Sequence, residues 1–196
     1  PKLRYGPRRT MSLAQRLYEG IEIDAEPTGL ITYMRTDSVN LARSAQGEAY
    51  DVINGRYGTE YSVEGGRGYK TRAKGAQEAH EAIRPTYMDQ ASVEGNRNEQ
   101  RLYELIWKRT LASQMSDAEL ERTQVTIGND QNPEQFIAKG EVIKFDGFLK
   151  VYMEGKDEED LEEQDGMLPA LNTGEKLGVN YITATQRFTR PPYRYT

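Results

Sequence analysis

The sequence contains no cysteine, which excludes a disulfide framework and a thiolate zinc site and suits a reducing cytosol. No run approaches the roughly 20 apolar residues that span a bilayer, so no membrane partner is expected and the location reads as cytoplasmic. Pro1–Tyr5 lacks the apolar centre of a signal peptide, and the abrupt start reads as that of a fragment. A surplus of positive charge is also missing. The net charge of −5 argues at first against a nucleic-acid partner, whose phosphates are normally met by excess Lys and Arg. That average hides a local cause: Glu154–Asp165 holds eight acids against Lys156 alone, and the rest of the chain is slightly basic. Charge therefore neither supports nor excludes DNA. The acidic run has no hydrophobic periodicity and reads as a solvated loop, with a metal-binding cluster as the sharper alternative.

At 196 residues and 36% hydrophobic content, the chain can bury a core as one large domain or two small ones, and two are preferred. There is no internal repeat. The first part reads as helical. From Thr10, Met11, Leu13, Ala14, Leu17 and Tyr18 recur at helical spacing before Gly20. Near Ser44 a second helix begins, with Ala45, Ala49, Val52, Ile53 and Tyr57 on one face and Gly58 as its stop. A third follows Asn98 as N-cap, with Leu102, Leu105, Ile106, Trp107, Leu111 and Ala112 forming a wide apolar face.

After about Ser116 the period shortens to two. Thr123–Ile127, Phe136–Ala138, Glu141–Phe145, Phe148–Met153 and Tyr181–Phe188 read as strands, with Gly140 as a break and Asp146-Gly147 as a hairpin signal. The expected fold class is α+β, with a helical domain over 1–115 and an incomplete β-rich domain over 116–196.

Two polar motifs carry candidate chemistry. In Gly29-Leu30-Ile31-Thr32-Tyr33-Met34-Arg35-Thr36-Asp37-Ser38 an apolar run turns abruptly polar. If Leu30–Met34 is extended, Tyr33 and Arg35 project from the same side. A phenol beside a guanidinium suits attack on a phosphodiester, because Arg stays protonated and forms paired hydrogen bonds to phosphate. A tyrosine with the reference pKa of about 10 is a poor nucleophile at neutral pH, so activation is needed, and no general base stands near Tyr33 in sequence. The plainer reading is a tyrosine packed at a strand end.

The second motif, Ala76–Thr86, holds the single histidine, His80. In a helical turn His80 and Arg84 would share a face, with Pro85 ending the turn, and both can donate to a phosphate. Glu78 and Glu81 are acid/base candidates or simply solvated carboxylates. Upstream, Gly65–Gly75 is a flexible basic stretch around Tyr69, fit for tracking a nucleic-acid backbone or for an ordinary loop.

Together these motifs resemble the signature of type IA DNA topoisomerases. Gly29–Ser38 resembles the active-site tyrosine segment, Gln77–Pro85 a second family segment and Thr10–Gly20 the helix before the tyrosine. Leu168–Glu175 and Gln186–Pro192 also match, so the resemblance covers nearly the whole chain. Met34 between Tyr33 and Arg35 is similar to the bacterial topoisomerase I branch rather than topoisomerase III; reverse gyrase stays an alternative.

The resemblance implies that Tyr33 is the nucleophile and Arg35 contacts the scissile phosphate. It makes His80, and more weakly Arg84, DNA-binding residues. It also implies a winged-helix-related lid domain followed by part of an arch, a substrate of single-stranded or negatively supercoiled DNA, and no ATP. No metal ligand is assigned in this chain. Magnesium is expected in the full-length enzyme through a TOPRIM domain outside it, and the remaining domains of the same polypeptide are its expected partners. The fragment alone is expected to be inactive. Two rivals are a non-catalytic single-stranded DNA-binding module and a structural or interaction protein.

Overall fold

The structure, a computed structural model, describes residues 2–23, 26–70, 80–129, 132–152, 168–169, 171–186 and 188. Helix α1 spans Pro7–Glu19. It starts ahead of the expected Thr10 because Pro7 occupies its first turn, where a missing N–H is no loss. Leu13, Ala14 and Leu17 are buried, while Met11 and Tyr18, expected on the same apolar face, stay exposed. Helix α2, Arg43–Tyr57, follows its expected span and buries Ala45, Ala49 and Ile53.

Helix α3, Arg97–Gln114, is capped by Asn96 rather than by the expected Asn98. The Asn96 side chain accepts from the amides of Asn98 and Glu99, and the Glu99 carboxylate accepts the Asn96 amide, which closes a capping box. Glu99 is buried and also pairs with Arg16 of α1 at 2.6 Å. One carboxylate thus both starts α3 and ties it to α1. Leu13 and Leu17 from α1, Ile53 from α2 and Leu102, Tyr103, Trp107 and Leu111 from α3 form the core with Leu30, Ile31 and Met115.

Two aromatic donors of α3 fix the aperiodic segment ahead of it. Trp107 Nε1 donates to the Met88 carbonyl at 2.8 Å and the Tyr103 hydroxyl donates to the Gln90 carbonyl at 2.7 Å. Burial of Tyr103 pushes its phenol up to about 12.

The described residues hold two antiparallel two-stranded sheets, and the fold class is α+β. Strands β1 (Ile21–Ile23) and β2 (Glu26–Thr28) form a short pair that the sequence pattern did not announce. Strands β3 (Glu119–Asn129) and β4 (Asn132–Phe145) form a longer ribbon. Thr123–Ile127 lies inside β3 as expected. The two expected strands on either side of Gly140 are one, because Gly140 pairs in register with Thr123. A glycine interrupts the side-chain pattern there without interrupting the backbone ladder.

Three expectations for the β-rich part fail. Asp146-Gly147 is not a hairpin, and Phe148 does not begin a strand. Gly147–Lys150 is a 3-10 turn, in which Gly147 takes a φ of 48° and an added Cβ would lie 2.5 Å from the Asp117 carbonyl oxygen. The Phe148 amide donates to Ser116 at 3.0 Å, and Phe145, Phe148 and Val151 pack on the helical core. Burial of Phe148 against the helices replaces the expected cross-strand pairing.

Tyr181–Gln186 is not a strand either. Tyr181 is 84% exposed and Ile182 74% exposed, because among the described residues no strand lies alongside for the alternating side chains to bury against. The acidic run Glu154–Asp165 and most of Gln186–Pro192 lie outside the described residues.

The expected domain boundary at 115 and 116 falls in a pinned junction. Met115 bridges to Ser62, and Ser116 donates its amide to Tyr61 and its hydroxyl to Glu60.

Candidate active site

The two polar motifs meet, although 45 positions separate their nearest contacting residues. Leu30 and Ile31 are buried and anchor the tyrosine segment in the core. The Thr86 amide donates to the Leu30 carbonyl, Ile31 bridges to Pro85, and the Thr32 amide donates to the Arg84 carbonyl. Thr32 adds a side-chain clasp: its hydroxyl donates to the Ala82 carbonyl and accepts the Arg84 amide, both at 3.0 Å. Residues 80–86 are held from the other side too, since the Ala82 amide donates to the Asn40 carbonyl at 2.8 Å.

This geometry overturns the expected helical turn across His80–Arg84. The amides of Ala82, Arg84 and Thr86 and the carbonyls of Ala82 and Arg84 are taken by Leu30, Thr32 and Asn40, so the Arg84 amide does not close a turn onto His80. Similarly, the extended run does not continue through Met34. The Arg35 amide folds back to the Tyr33 carbonyl at 3.0 Å, a tight turn centred on Met34 that breaks strict two-residue alternation.

Tyr33 is 55% exposed, and its hydroxyl makes no hydrogen bond to a described residue. Its ring meets Tyr18 edge-on, with centroids 5.4 Å apart and planes at 64°. Arg35 turns toward the second motif. Its Nη1 lies 2.6 Å from His80 Nε2, and its Nε lies 3.2 Å from Asp37 Oδ2. A guanidinium has no acceptor, so in this contact Arg35 can only donate. The other Asp37 oxygen, Oδ1, is buried without a partner.

The remaining candidates are occupied by structural contacts. Arg84 donates from Nε to Glu81 and from Nη1 to the Pro85 carbonyl, both at 2.9 Å. Glu81 Oε1 also accepts the Ala42 amide at 2.7 Å, putting a carboxylate at the N-terminus of α2, where its charge is favoured. Glu78 lies outside the described residues. Of the basic stretch, residues 65–70 are described; most are exposed, but Arg67 and Tyr69 are tethered. The Arg67 amide donates to Gln114 and its guanidinium pairs with Asp117 at 2.8 Å, while the Tyr69 hydroxyl donates to the Ser113 carbonyl. The hydrogen bond from Arg67 lowers the Asp117 pKa.

Sequence reasoning missed Tyr18, Thr32 and Asp37. Tyr18 read as one more residue of an apolar helix face, and nothing local marked it as a neighbour of Tyr33. Among the described residues no three Asp, Glu or His side chains group to hold a metal ion. No described helix is long and apolar enough to cross a membrane.

An α+β unit that presents an exposed tyrosine two residues ahead of an arginine held by a histidine and an aspartate carries side chains suited to phosphodiester chemistry. The sequence model of DNA topoisomerase matches residues 1–196, and the chain belongs to that family, in its bacterial type IA branch. It is 44% identical over 199 residues to DNA topoisomerase 1 of Rickettsia bellii, covering 100% of this chain and 25% of that protein. It is 46% identical over 202 residues to DNA topoisomerase 1 of Xylella fastidiosa, strain Temecula1, again covering 100% of this chain and 25% of the relative. The solved structure of full-length topoisomerase I from Thermotoga maritima superposes with a TM-score of 0.72 at 34% identity, over 89% of this chain and 27% of that one. The chain thus spans about a quarter of the length of these relatives.

Proposed function

We propose that this chain supplies the nucleophile of a type IA DNA topoisomerase. Tyr33 attacks a phosphodiester of a single strand, its oxygen bonds to the 5′ phosphate, and the 3′ oxygen departs as a hydroxyl. The phenol gives up its proton as the bond forms, and the departing oxygen gains one. The reverse attack by the 3′ hydroxyl reseals the strand. Each step exchanges one phosphate ester for another, so no ATP is consumed. Strand passage between the two steps relaxes negative supercoils.

The observation that carries this reading is the contact of Arg35 with His80, which joins the two motifs two residues along the chain from an exposed Tyr33. Arg35 holds the scissile phosphate and offsets charge developing on its oxygens, and His80 contacts a DNA phosphate nearby. Arg84 is the weaker DNA-binding candidate, because two of its nitrogens are already engaged. Magnesium, in this reading, belongs to a TOPRIM domain elsewhere in the polypeptide, and no step above runs through it. In this reading the helical part is the lid and the ribbon belongs to the arch. The chain works with the remaining domains, in the cytoplasm, on single-stranded and negatively supercoiled DNA.

The test is relaxation by a full-length enzyme containing this chain. Tyr33→Phe is expected to abolish relaxation while single-stranded DNA binding persists. Relaxation that survives Tyr33→Phe contradicts the reading. Loss of nothing but binding, with no covalent product from the unmodified enzyme, favours a non-catalytic single-stranded DNA-binding module instead.

A further inference from the structure

Tyr33 has no hydrogen bond to a described residue to fix its phenol, and more than half of it is open to solvent. A nucleophile in that state rotates about two side-chain bonds, and in-line attack on phosphorus needs one direction. Something must narrow the choice. The aromatic contact to Tyr18, 5.4 Å between centroids in the edge-to-face arrangement that ring quadrupoles favour, restricts the ring without blocking its hydroxyl.

The backbone is arranged to bring the two rings together. The Leu30 amide donates to the Leu17 carbonyl at 2.8 Å, joining the last turn of α1 to the start of the tyrosine segment. Gly29 permits that approach, because a Cβ there would stand 2.9 Å from the Tyr18 carbonyl oxygen, and this obstacle is backbone that cannot rotate away. Helix α1 is itself fixed: Leu17 is fully buried, and Arg16 pairs with Glu99 of α3. The last turn of α1 is therefore a rigid platform under a nucleophile that is otherwise loosely held.

We infer that Tyr18 is a positioning residue for Tyr33, holding its ring for attack on the phosphate, and that Gly29 serves this contact by letting the two segments close. This rests on the reading of Tyr33 as the nucleophile. It goes beyond that reading by assigning the end of α1 a role in the rate of cleavage rather than in DNA affinity.

The test uses a full-length enzyme containing this chain and a labelled single-stranded oligonucleotide. Single-turnover formation of the covalent adduct, DNA affinity and the thermal midpoint are measured for each variant. Tyr18→Ala is expected to slow adduct formation roughly ten- to hundredfold, with DNA affinity changed less than about twofold. Tyr18→Phe keeps the ring and is expected to restore the rate to within about threefold of the unmodified enzyme. Gly29→Ala, which leaves both rings intact but forces the segments apart, is expected to slow the adduct as Tyr18→Ala does.

Adduct formation unchanged in Tyr18→Ala overturns the inference, as does a Tyr18→Phe rate as low as that of Tyr18→Ala. Should Tyr18→Ala fail to fold, the Phe and Gly29→Ala variants decide: a normal rate in Gly29→Ala overturns the inference. A parallel Tyr33→Phe reaction separates the two claims. Adduct surviving there overturns the nucleophile reading itself, whereas adduct lost there but unaffected in Tyr18→Ala overturns only the positioning role.

Discussion

Arg35 Nη1 and His80 Nε2 lie 2.6 Å apart, and Arg35 Nε is held at the same time by Asp37. The guanidinium is therefore oriented by an imidazole and a carboxylate before any DNA arrives. A phosphate that engages Arg35 must share it with these two partners. Arg35 and His80 should then act as a unit. In a double-mutant cycle on adduct formation, Arg35→Ala and His80→Ala are expected to be non-additive, with a coupling of about 0.5–3 kcal/mol. His80→Gln, which retains an acceptor for Arg35, should lose less than His80→Ala. Fully additive losses would show that the contact has no part in the reaction.

Thr32 joins the two motifs through one hydroxyl that both donates and accepts. Thr32→Val keeps the shape and removes both bonds, leaving the Ala82 carbonyl and Arg84 amide short of a partner. A stability loss of about 1–3 kcal/mol is expected in urea denaturation. Adduct formation should fall as well, because the His80 segment is then held to the Tyr33 segment by backbone bonds alone. Thr32→Ser should recover most of both.

Asn96 tests the scaffold apart from the chemistry. Asn96→Ala removes the cap of α3 and is expected to cost about 1 kcal/mol. Cleavage per folded molecule should not change, since Asn96→Ala keeps the Glu99 carboxylate and with it the Arg16 pair that holds α1.

Tyr103 gives a pH dependence. Its phenol is raised from the ordinary value to about 12 by burial, so the folded state keeps its proton where the unfolded chain releases it. The stability this group contributes is complete below about pH 10 and is lost as pH rises through about 12. Thermal midpoints measured across that window should fall, and Tyr103→Phe should flatten the fall. It should also lower stability at neutral pH, because the bond to the Gln90 carbonyl is gone.

The helices were legible because their signals are local. The apolar spacing of Leu13 and Leu17, of Ala45, Ala49 and Ile53, and of Leu102, Trp107 and Leu111 maps onto buried faces. Even the misplaced cap had a local clue, since Glu99 stands three residues after Asn96, as a capping box requires.

What failed depends on distant partners. Residues 80–84 have the composition of a helical turn, but Thr32 and Asn40 claim their backbone groups from 42 to 52 positions away. Phe148 alternates with its neighbours like a strand residue, yet the helical core offers it a better burial than a cross-strand pair. Tyr33 and Arg35 could be named from the motif, whereas Tyr18 and Asp37 became visible only when the chain was folded.

The central claim is that Tyr33 itself forms the bond to DNA. The direct measurement is peptide mapping of the covalent product: a full-length enzyme containing this chain is trapped on a single-stranded oligonucleotide under denaturing conditions, digested, and analysed by mass spectrometry. The account predicts a nucleotide attached through its 5′ phosphate to the peptide that carries Tyr33, and no adduct in Tyr33→Phe. A nucleotide on any other residue, or an undiminished adduct in Tyr33→Phe, would contradict it.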